Sequence, residues 1–200
     1  FRRLFSEGTF NAAFVPSYSS ELVKSKLKSN IFANEIFNLL FLGLLFLVLV
    51  AEIFMPTFVG LIAPGFVENS EKIELAIDLT RITFPFLLFV SLSSFFSGIL
   101  NSNNKFAAAA AAPIILNVVL ITSLVISYYL DLNFAKQLSY GVTLAGILQL
   151  IFLFYVTLKF YKPSLVFKLK INRKVKFFFK KLLPSIFSSG IIQINILIGT

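Results

Sequence analysis

Five apolar runs, each long enough or nearly long enough to cross a bilayer, constrain this chain more than any other feature. A hydrocarbon core of roughly 30 Å needs about 20 helical residues. Inside lipid, every backbone N–H and C=O must be paired within its own segment, which favours helices over strands of a soluble core. We therefore predict an all-α, polytopic transmembrane helix bundle. The runs are Ile36–Ala51, which resumes beyond Glu52 as far as Phe66, then Ile82–Asn104, Phe106–Leu130, Gln137–Leu158 and Leu182–Thr200.

The composition agrees with a membrane protein and narrows the chemistry. Of 200 residues, 58% are hydrophobic and 26 are Phe, while Cys and His are both absent. The sequence therefore offers no disulfide, no thiolate nucleophile and no imidazole acid or base. It also shows no metal-ligand cluster, no phosphate-binding glycine loop and no carboxylate pair at membrane depth. We predict a protein that is not an enzyme and that uses no cofactor or metal.

The basic residues are divided unevenly between the two ends of the predicted spans. If the turns alternate sides, fifteen of the 18 Lys and Arg residues fall on one side, which also lacks the acidic stretch Glu68–Asp78. Basic loops stay in the cytoplasm, so this side is predicted to be cytoplasmic. The net charge of +9 thus reflects topology before it indicates a nucleic-acid partner. The fifteen are Arg2, Arg3, Lys24, Lys26, Lys28, Lys105 and the nine basic residues from Lys159 to Lys181.

Prolines, glycines and polar clusters predict the connections between the runs. On the cytoplasmic side we expect a turn at Pro16, a short connection at Lys24, Lys26 and Lys28, and a compact polar turn at Asn101–Lys105. On the outer side we expect a break at Met55–Pro56, a turn at Ala63–Phe66, an external loop or surface helix over Val67–Thr80, and a second turn over Asp131–Lys136. Gly141 and Ala145 form a weak small-xxx-small motif for close helix packing.

The longest polar connection is the basic loop Lys159–Lys181, predicted to be cytoplasmic. Its last part, Val175–Lys181, mixes Phe and Lys in a pattern typical of an amphipathic helix at the membrane interface. We favour a loop that touches anionic lipid over one that carries a specific partner site.

Polar residues of segment 1–20, which we predict to be the cytoplasmic end of a span that began before Phe1, are the strongest candidates for function. Arg2 and Arg3 are followed by Glu7, four residues after Arg3. A guanidinium presents a planar fork of donors that matches phosphate oxygens. Alternatively, both arginines set topology and Arg3 pairs with Glu7 on one helical face. The residues alone leave the two interpretations equally open.

Other polar residues within the runs have weaker claims. Glu52 and Arg81 near the outer face are expected to snorkel or pair rather than bind substrate. Interhelical hydrogen bonds are the preferred role of Asn117 and Gln149. Gln193 and Asn195 either line a polar path or serve as such partners.

Several motifs carry a resemblance to a known family. The opening FRRLFSEGTFNAAFVPSYSS resembles the signature that ends the second span of MurJ (MviN) lipid II flippases, a branch of the multidrug/oligosaccharidyl-lipid/polysaccharide (MOP) exporters. The segment ITFPFLLFVSLSSFFSGILNSNNKF is the other specific match. Supporting matches are Ala63–Phe66, the Ala-rich helix with Pro113 that runs to Asn117, Leu183-Pro184 and Gln193-Ile194.

The resemblance implies a two-lobed helix bundle of the MOP/MATE-like kind. Residues 1–200 would be a fragment of its single transmembrane domain, from the end of the second span through most of the seventh, within the N-terminal lobe. It also implies a cationic cavity with an arginine at the place of Arg2, which favours a substrate-binding role there. Arg3 and Glu7 match motif positions, and Gln193 and Asn195 are weaker candidates.

We therefore expect a multi-pass protein of the bacterial cytoplasmic (inner) membrane that flips lipid II, the undecaprenyl-diphosphate-linked disaccharide-pentapeptide, by alternating access. One alternative is a polysaccharide-repeat or drug exporter of the same superfamily, because a shared fold does not fix the cargo. Another is a non-transporting membrane scaffold that docks division proteins through Lys159–Lys181. The expected partners are lipid II, membrane lipids and cell-wall synthesis or division proteins, with no nucleic acid.

Overall fold

A computed structural model of the protein describes residues 9–66, 68–166, 174–180 and 182. Within these residues there are helices and no strand, which confirms the predicted all-α class. The α-helices are α1 (Thr9–Lys24), α2 (Lys26–Ile53), α3 (Met55–Ile62), α4 (Ser70–Thr83), α5 (Phe86–Ser102), α6 (Phe106–Tyr129), α7 (Phe134–Thr157) and α8 (174–180). A 3-10 helix, Pro64–Phe66, lies in the connection between α3 and α4.

Four helical segments are long and apolar enough to cross a membrane. They are α2, the combined length of α4 and α5 from Ser70 to Ser102, α6 and α7. These segments coincide with the first four apolar runs to within two residues at their C-terminal ends, except that the resumption beyond Glu52 belongs mostly to α3, so the predicted helical spans are confirmed by length and composition. The fifth run lies outside the described residues except for Leu182. The assignment of the basic ends to the cytoplasm stays a prediction.

Side-chain caps explain where three of the helices begin. Ser25, Asn69 and Asn133 stand in extended conformation just before α2, α4 and α7. Each side-chain oxygen accepts a hydrogen bond from the backbone N–H three residues later, at 3.0 to 3.1 Å. Such caps satisfy donors that the first helical turn cannot pair internally. The polar residues between apolar runs therefore fix the helix boundaries.

Two predicted connections on the cytoplasmic side are wrong. Pro16 lies inside α1 and does not form a turn. The helix tolerates it because Pro16 and Ala12, whose carbonyl loses a donor, are both on the exposed side. The connection predicted at Lys24, Lys26 and Lys28 shrinks to Ser25, and these lysines belong to the ends of α1 and α2.

The predicted outer connections follow the sequence more closely. The break expected at Met55–Pro56 separates α2 from α3, with Pro56 in the first turn of the new helix. Of the two alternatives for the acidic stretch, the structure shows the surface helix, α4, which contains no buried residue. A turn at Phe84 and Pro85 separates α4 from α5. Beside this interruption the Thr143 hydroxyl of α7 donates to the carbonyl of Ile82 and fastens the two spans together.

Aromatic side chains form the centre of the bundle. Phe10, Phe14 and Tyr18 recur every four residues and therefore share one face of α1. All three are buried, with adjacent ring centroids 5.3 and 5.6 Å apart. Phe14 also packs against Phe32 of α2, Phe95 of α5 and Phe178 of α8. The short helix α8 is thus part of the core.

The segment 161–166 is tied to α2 by side-chain amides. Asn34 Oδ1 accepts hydrogen bonds from the Tyr161 hydroxyl and from the backbone N–H of Ser164. Asn38 donates to the Ser164 carbonyl at 3.0 Å and accepts from the Val166 N–H at 2.9 Å. Burial raises the pKa of the Tyr161 hydroxyl, which therefore remains a neutral donor. The start of the basic loop Lys159–Lys181 is anchored to the bundle.

Candidate functional site

The site residues predicted from the sequence lie outside the described residues. This holds for the motif residues Arg2, Arg3 and Glu7 and for the weaker candidates Gln193 and Asn195. The structure does describe the continuation of the arginine motif, which enters α1 at Thr9. The candidate site is therefore built from the residues that this helix and its neighbours bring together.

A cavity of about 500 Å³ lies among α1, α5, α6 and α7, and we call it the polar cavity. Its walls combine apolar side chains with amides and hydroxyls from all four helices. The polar residues that line it are Asn11 of α1, Ser93, Ser94, Ser97 and Asn101 of α5, Asn117 of α6 and Gln149 of α7.

The sequence of α5 explains why serines face this cavity. Ser97 follows Ser93 by four residues and Ser94 by three, so the side chains of both lie on the same helical face as Ser97. They are buried, with 4, 8 and 9% of their surface exposed. Gly98 then allows α1 to approach, because a Cβ at this position would stand 2.6 Å from both Asn11 Oδ1 and Phe14 Cδ1. Small residues on α5 thus create both the cavity and the close contact beside it.

Two buried oxygens at the polar cavity have no hydrogen-bond partner among the described residues. They are Asn11 Oδ1 and Ser93 Oγ. An unpaired polar group is expensive at membrane depth, and such groups often mark functional paths. The cavity therefore suits a polar guest that brings its own donors.

The polar cavity offers hydrogen-bonding groups to a bound molecule. Amides and hydroxyls donate and accept hydrogen bonds without changing charge near neutral pH. The described part of the chain contains no group of three or more His, Cys, Asp or Glu residues that could hold a metal ion. This arrangement can hold or pass a polar molecule.

The sequence identified some of these residues but assigned them another role. Asn117 and Gln149 were expected to form interhelical hydrogen bonds, and both line the polar cavity. Gln149 is buried on α7, whereas Asn117 is exposed on α6. Sequence reasoning missed Asn11 and the serines of α5. The available signal was the 93, 94, 97 spacing of serines inside an apolar run.

A buried ion pair at the end of α1 was also missed. Glu21 is 5% exposed, and its two carboxylate oxygens accept hydrogen bonds from Lys174 at 2.6 Å and Lys24 at 2.9 Å. The bond from Lys174, then that from Lys24, hold the pKa of Glu21 below its usual value. Glu21 lies one residue beyond the segment 1–20 that we predict as the end of a span. It joins α1 to α8.

Glu52 and Arg81, which were expected to snorkel or pair near the outer face, lie in different surroundings. One carboxylate oxygen of Glu52 is buried and has no hydrogen-bond partner among the described residues. Arg81 of α4 is exposed. The expectation that they snorkel or pair stays a prediction.

Comparisons with known proteins agree over the whole chain. A family model described as "Lipid II flippase MurJ" matches residues 1–200. The chain is 40% identical to a probable lipid II flippase MurJ of Rickettsia prowazekii and 39% identical to one of Rhizobium tropici, in alignments that cover all of this chain and 39% and 38% of those proteins. It therefore spans about two fifths of the length of these relatives.

A solved structure shares the fold as well as the sequence. It is a lipid II flippase MurJ in an inward closed conformation, 27% identical to this chain. The TM-score is 0.79, and the match covers 98% of this chain and 40% of that one. Together with the four spans, this likeness shows a helical, multi-pass membrane protein.

Proposed function

This chain belongs to the MurJ family of lipid II flippases, and on that premise we propose that the full-length protein moves lipid II across the bacterial cytoplasmic membrane. The cargo is the undecaprenyl-diphosphate-linked disaccharide-pentapeptide, and the process is alternating access. The observation that carries the proposal is the family match over residues 1–200. Neither alternative, an exporter of other cargo or a non-transporting scaffold, accounts for that match as well.

The protein acts as a transporter and not as a catalyst. The related proteins are named flippases, and the polar cavity offers hydrogen bonds without an activated nucleophile. Flipping a lipid requires a polar path for its headgroup and no covalent step. Neutral amides and hydroxyls such as Asn11 and Ser93 suit the sugar and peptide parts of lipid II.

A diphosphate needs permanent positive charge, which the described residues of the polar cavity do not supply. Their polar side chains are neutral, so the charge has to come from other residues of the protein. We assign this role to Arg2, because a guanidinium fork binds phosphate oxygens in pairs. Arg3 and Glu7 belong to the same motif and support it. Gln193 and Asn195 are proposed as polar contacts along the path.

Substitution of Arg2 tests the proposal in cells. Arg2→Ala should abolish flipping, and Arg2→Lys should keep part of it because a point charge replaces the fork. Arg3→Ala should be milder, since consecutive helical positions point about 100° apart. The measurements are survival of a flippase-depleted strain and accumulation of lipid II on the inner leaflet, at matched protein levels.

Arg81→Ala is the matched control, because Arg81 is exposed on α4 and does not line the polar cavity. It should support growth like the parent protein. If Arg2→Ala also supports full growth, Arg2 sets topology and does not bind the diphosphate. If the parent gene itself fails to complement the depleted strain, the flippase proposal is wrong. Docking of cell-wall synthesis or division proteins on Lys159–Lys181 stays a separate prediction.

A further inference from the structure

The end of α1, the start of α2 and helix α8 enclose a second cavity, of about 710 Å³, which we call the lysine cavity. Helix α8 is held there by Val175 and Phe178, which are buried in the core. The ion pair between Lys174 and Glu21 adds a polar attachment. The walls of this cavity are therefore packed protein surface.

The lining of the lysine cavity is strongly basic. Its described residues include four lysines, Lys24, Lys174, Lys176 and Lys180, and a single carboxylate, Glu21. Both oxygens of Glu21 already accept hydrogen bonds from lysines. An excess of three positive charges lines the cavity, and clefts lined by one sign of charge concentrate ions of the other sign.

Apolar groups stand among these charges. Phe177 follows Lys176 on α8 and lines the cavity, and 58% of its surface is exposed. Pro16 and Phe32 contribute further apolar surface. An exposed aromatic ring beside lysines is typical of helices that lie at the boundary between headgroups and acyl chains. A small, fully hydrated anion would gain nothing from this apolar lining.

The position of the lysine cavity fits the membrane surface. Lys24 ends α1, and α8 precedes the last apolar run, so the lysines lie where the spans leave the bilayer. We predict this end to be cytoplasmic, the side on which anionic lipids attract basic segments. Basic pockets between transmembrane helices on that side bind phosphate headgroups.

We propose that the lysine cavity binds the phosphate headgroup of an anionic membrane phospholipid. Lys176 and Lys180 contact the phosphate, and Phe177 contacts the adjoining acyl chain. Lys24 and Lys174 keep their ion pairs with Glu21, and these pairs hold the cavity open between α1 and α8. The size lies within the range of about 300 to 1,000 Å³ found for small-molecule sites. The lysine cavity shares no lining residue with the polar cavity, and this inference does not rest on flippase activity.

Native mass spectrometry of the full-length protein tests the site. The protein is purified from membranes of phosphatidylglycerol and phosphatidylcholine, and the lipids that it retains in mild detergent are counted. Lys176→Gln/Lys180→Gln should lower the affinity for phosphatidylglycerol by up to about thirtyfold, and thus its retention, because two lysines near an anionic surface contribute about 1 kcal/mol each. Retention of phosphatidylcholine should not change.

Two further variants isolate the cause. Lys159→Gln/Lys162→Gln removes the same charge from exposed positions of the same loop that do not line the cavity, and it should retain lipid like the parent. Lys176→Arg/Lys180→Arg keeps the charge and should also retain lipid. Equal losses in the two glutamine variants would overturn the proposal, as would full retention by Lys176→Gln/Lys180→Gln. Displacement of the lipid by millimolar inorganic phosphate would assign the cavity to soluble phosphate and contradict a lipid site.

Discussion

Helices α5 and α6 follow each other in the chain and both cross the membrane, yet they face opposite surroundings. Half of the most apolar window of the α4–α5 span is buried inside the protein, against 11% for α6. Four of the five serines of α5, at 91, 93, 94 and 97, are buried. The exposed helix presents Ile114, Val118 and Ile121 outward. Polar side chains of α5 thus face the protein interior while apolar side chains of α6 face outward, which is the reverse of the arrangement in a soluble protein.

The difference follows from the solvent. Lipid is as apolar as Ile or Val, so α6 loses nothing by exposing them. Helices in lipid associate through close packing and polar contacts, and small residues allow both. The glycine and serines of α5 serve this purpose against α1. Hydropathy therefore identifies a span, and the small polar residues within it indicate which side faces protein.

The largest effect should come from the aromatic centre. Phe14 is fully buried and contacts rings from four helices, whereas Phe46 of α2 is 70% exposed. Phe14→Ala should lower the free energy of unfolding by about 3 kcal/mol or more, because the cavity left behind cannot collapse. Phe46→Ala should change it by about 0.5 kcal/mol or less.

Unfolding of the full-length protein in mixed micelles with increasing denaturing detergent measures both variants. Equal losses of stability would mean that Phe46 also packs against protein. A negligible loss for Phe14→Ala would show that the aromatic cluster does not hold α1, α5 and α8 together, and the contrast between the protein-facing and lipid-facing regions would fail.

Two glycines offer a smaller test of the same contrast. A Cβ on Gly98 would meet Asn11 and Phe14 at 2.6 Å, whereas a Cβ on Gly43 would meet nothing within 4 Å. Gly98→Ala should destabilise the protein by about 1 to 3 kcal/mol through overpacking. Gly43→Ala should be neutral or stabilise by about 0.5 kcal/mol, because alanine favours the helix. Thermal midpoints in one detergent report both, and a stabilised Gly98→Ala would disprove the close approach of α1 to α5.

Much of the fold could be predicted from the sequence, for a physical reason. Backbone groups in lipid must pair locally, so four apolar runs could only be helices, and polar clusters such as Asn101–Lys105 marked their ends. Pro16 misled the prediction because proline also suits an exposed helical face. The packing of α8 on the core was missed because its Phe and Lys pattern suits a lipid surface and a protein surface equally.

The candidate site was less predictable. The polar cavity combines residues from four helices, and one sequence does not show which faces meet. Asn11 and Gln149 are 138 positions apart, yet both line it. Glu21 was missed because its partner Lys174 lies far along the chain, and only the fold brings the two together. Arg2 and the other predicted substrate contacts lie outside the described residues and stay predictions.

The smallest expected effect concerns Glu21, where the buried region ends in an ion pair. Its lysine partners are half-exposed, at 52% and 54%, so water weakens the pair. The pKa of Glu21 is lower in the folded protein than its ordinary value of 4.5. A lowered carboxyl pKa stabilises the fold at pH values above that ordinary value, and the stabilisation disappears as the pH falls through the lowered pKa.

The thermal midpoint of Glu21→Gln should therefore lie below that of the parent at neutral pH, and the gap should close at acid pH. Glu74→Gln, at an exposed carboxylate of α4, should show no such gap. A gap for Glu21→Gln that stays constant from neutral to acid pH would mean that Glu21 stabilises α1 by packing alone, and that the ionised pair does not hold α8.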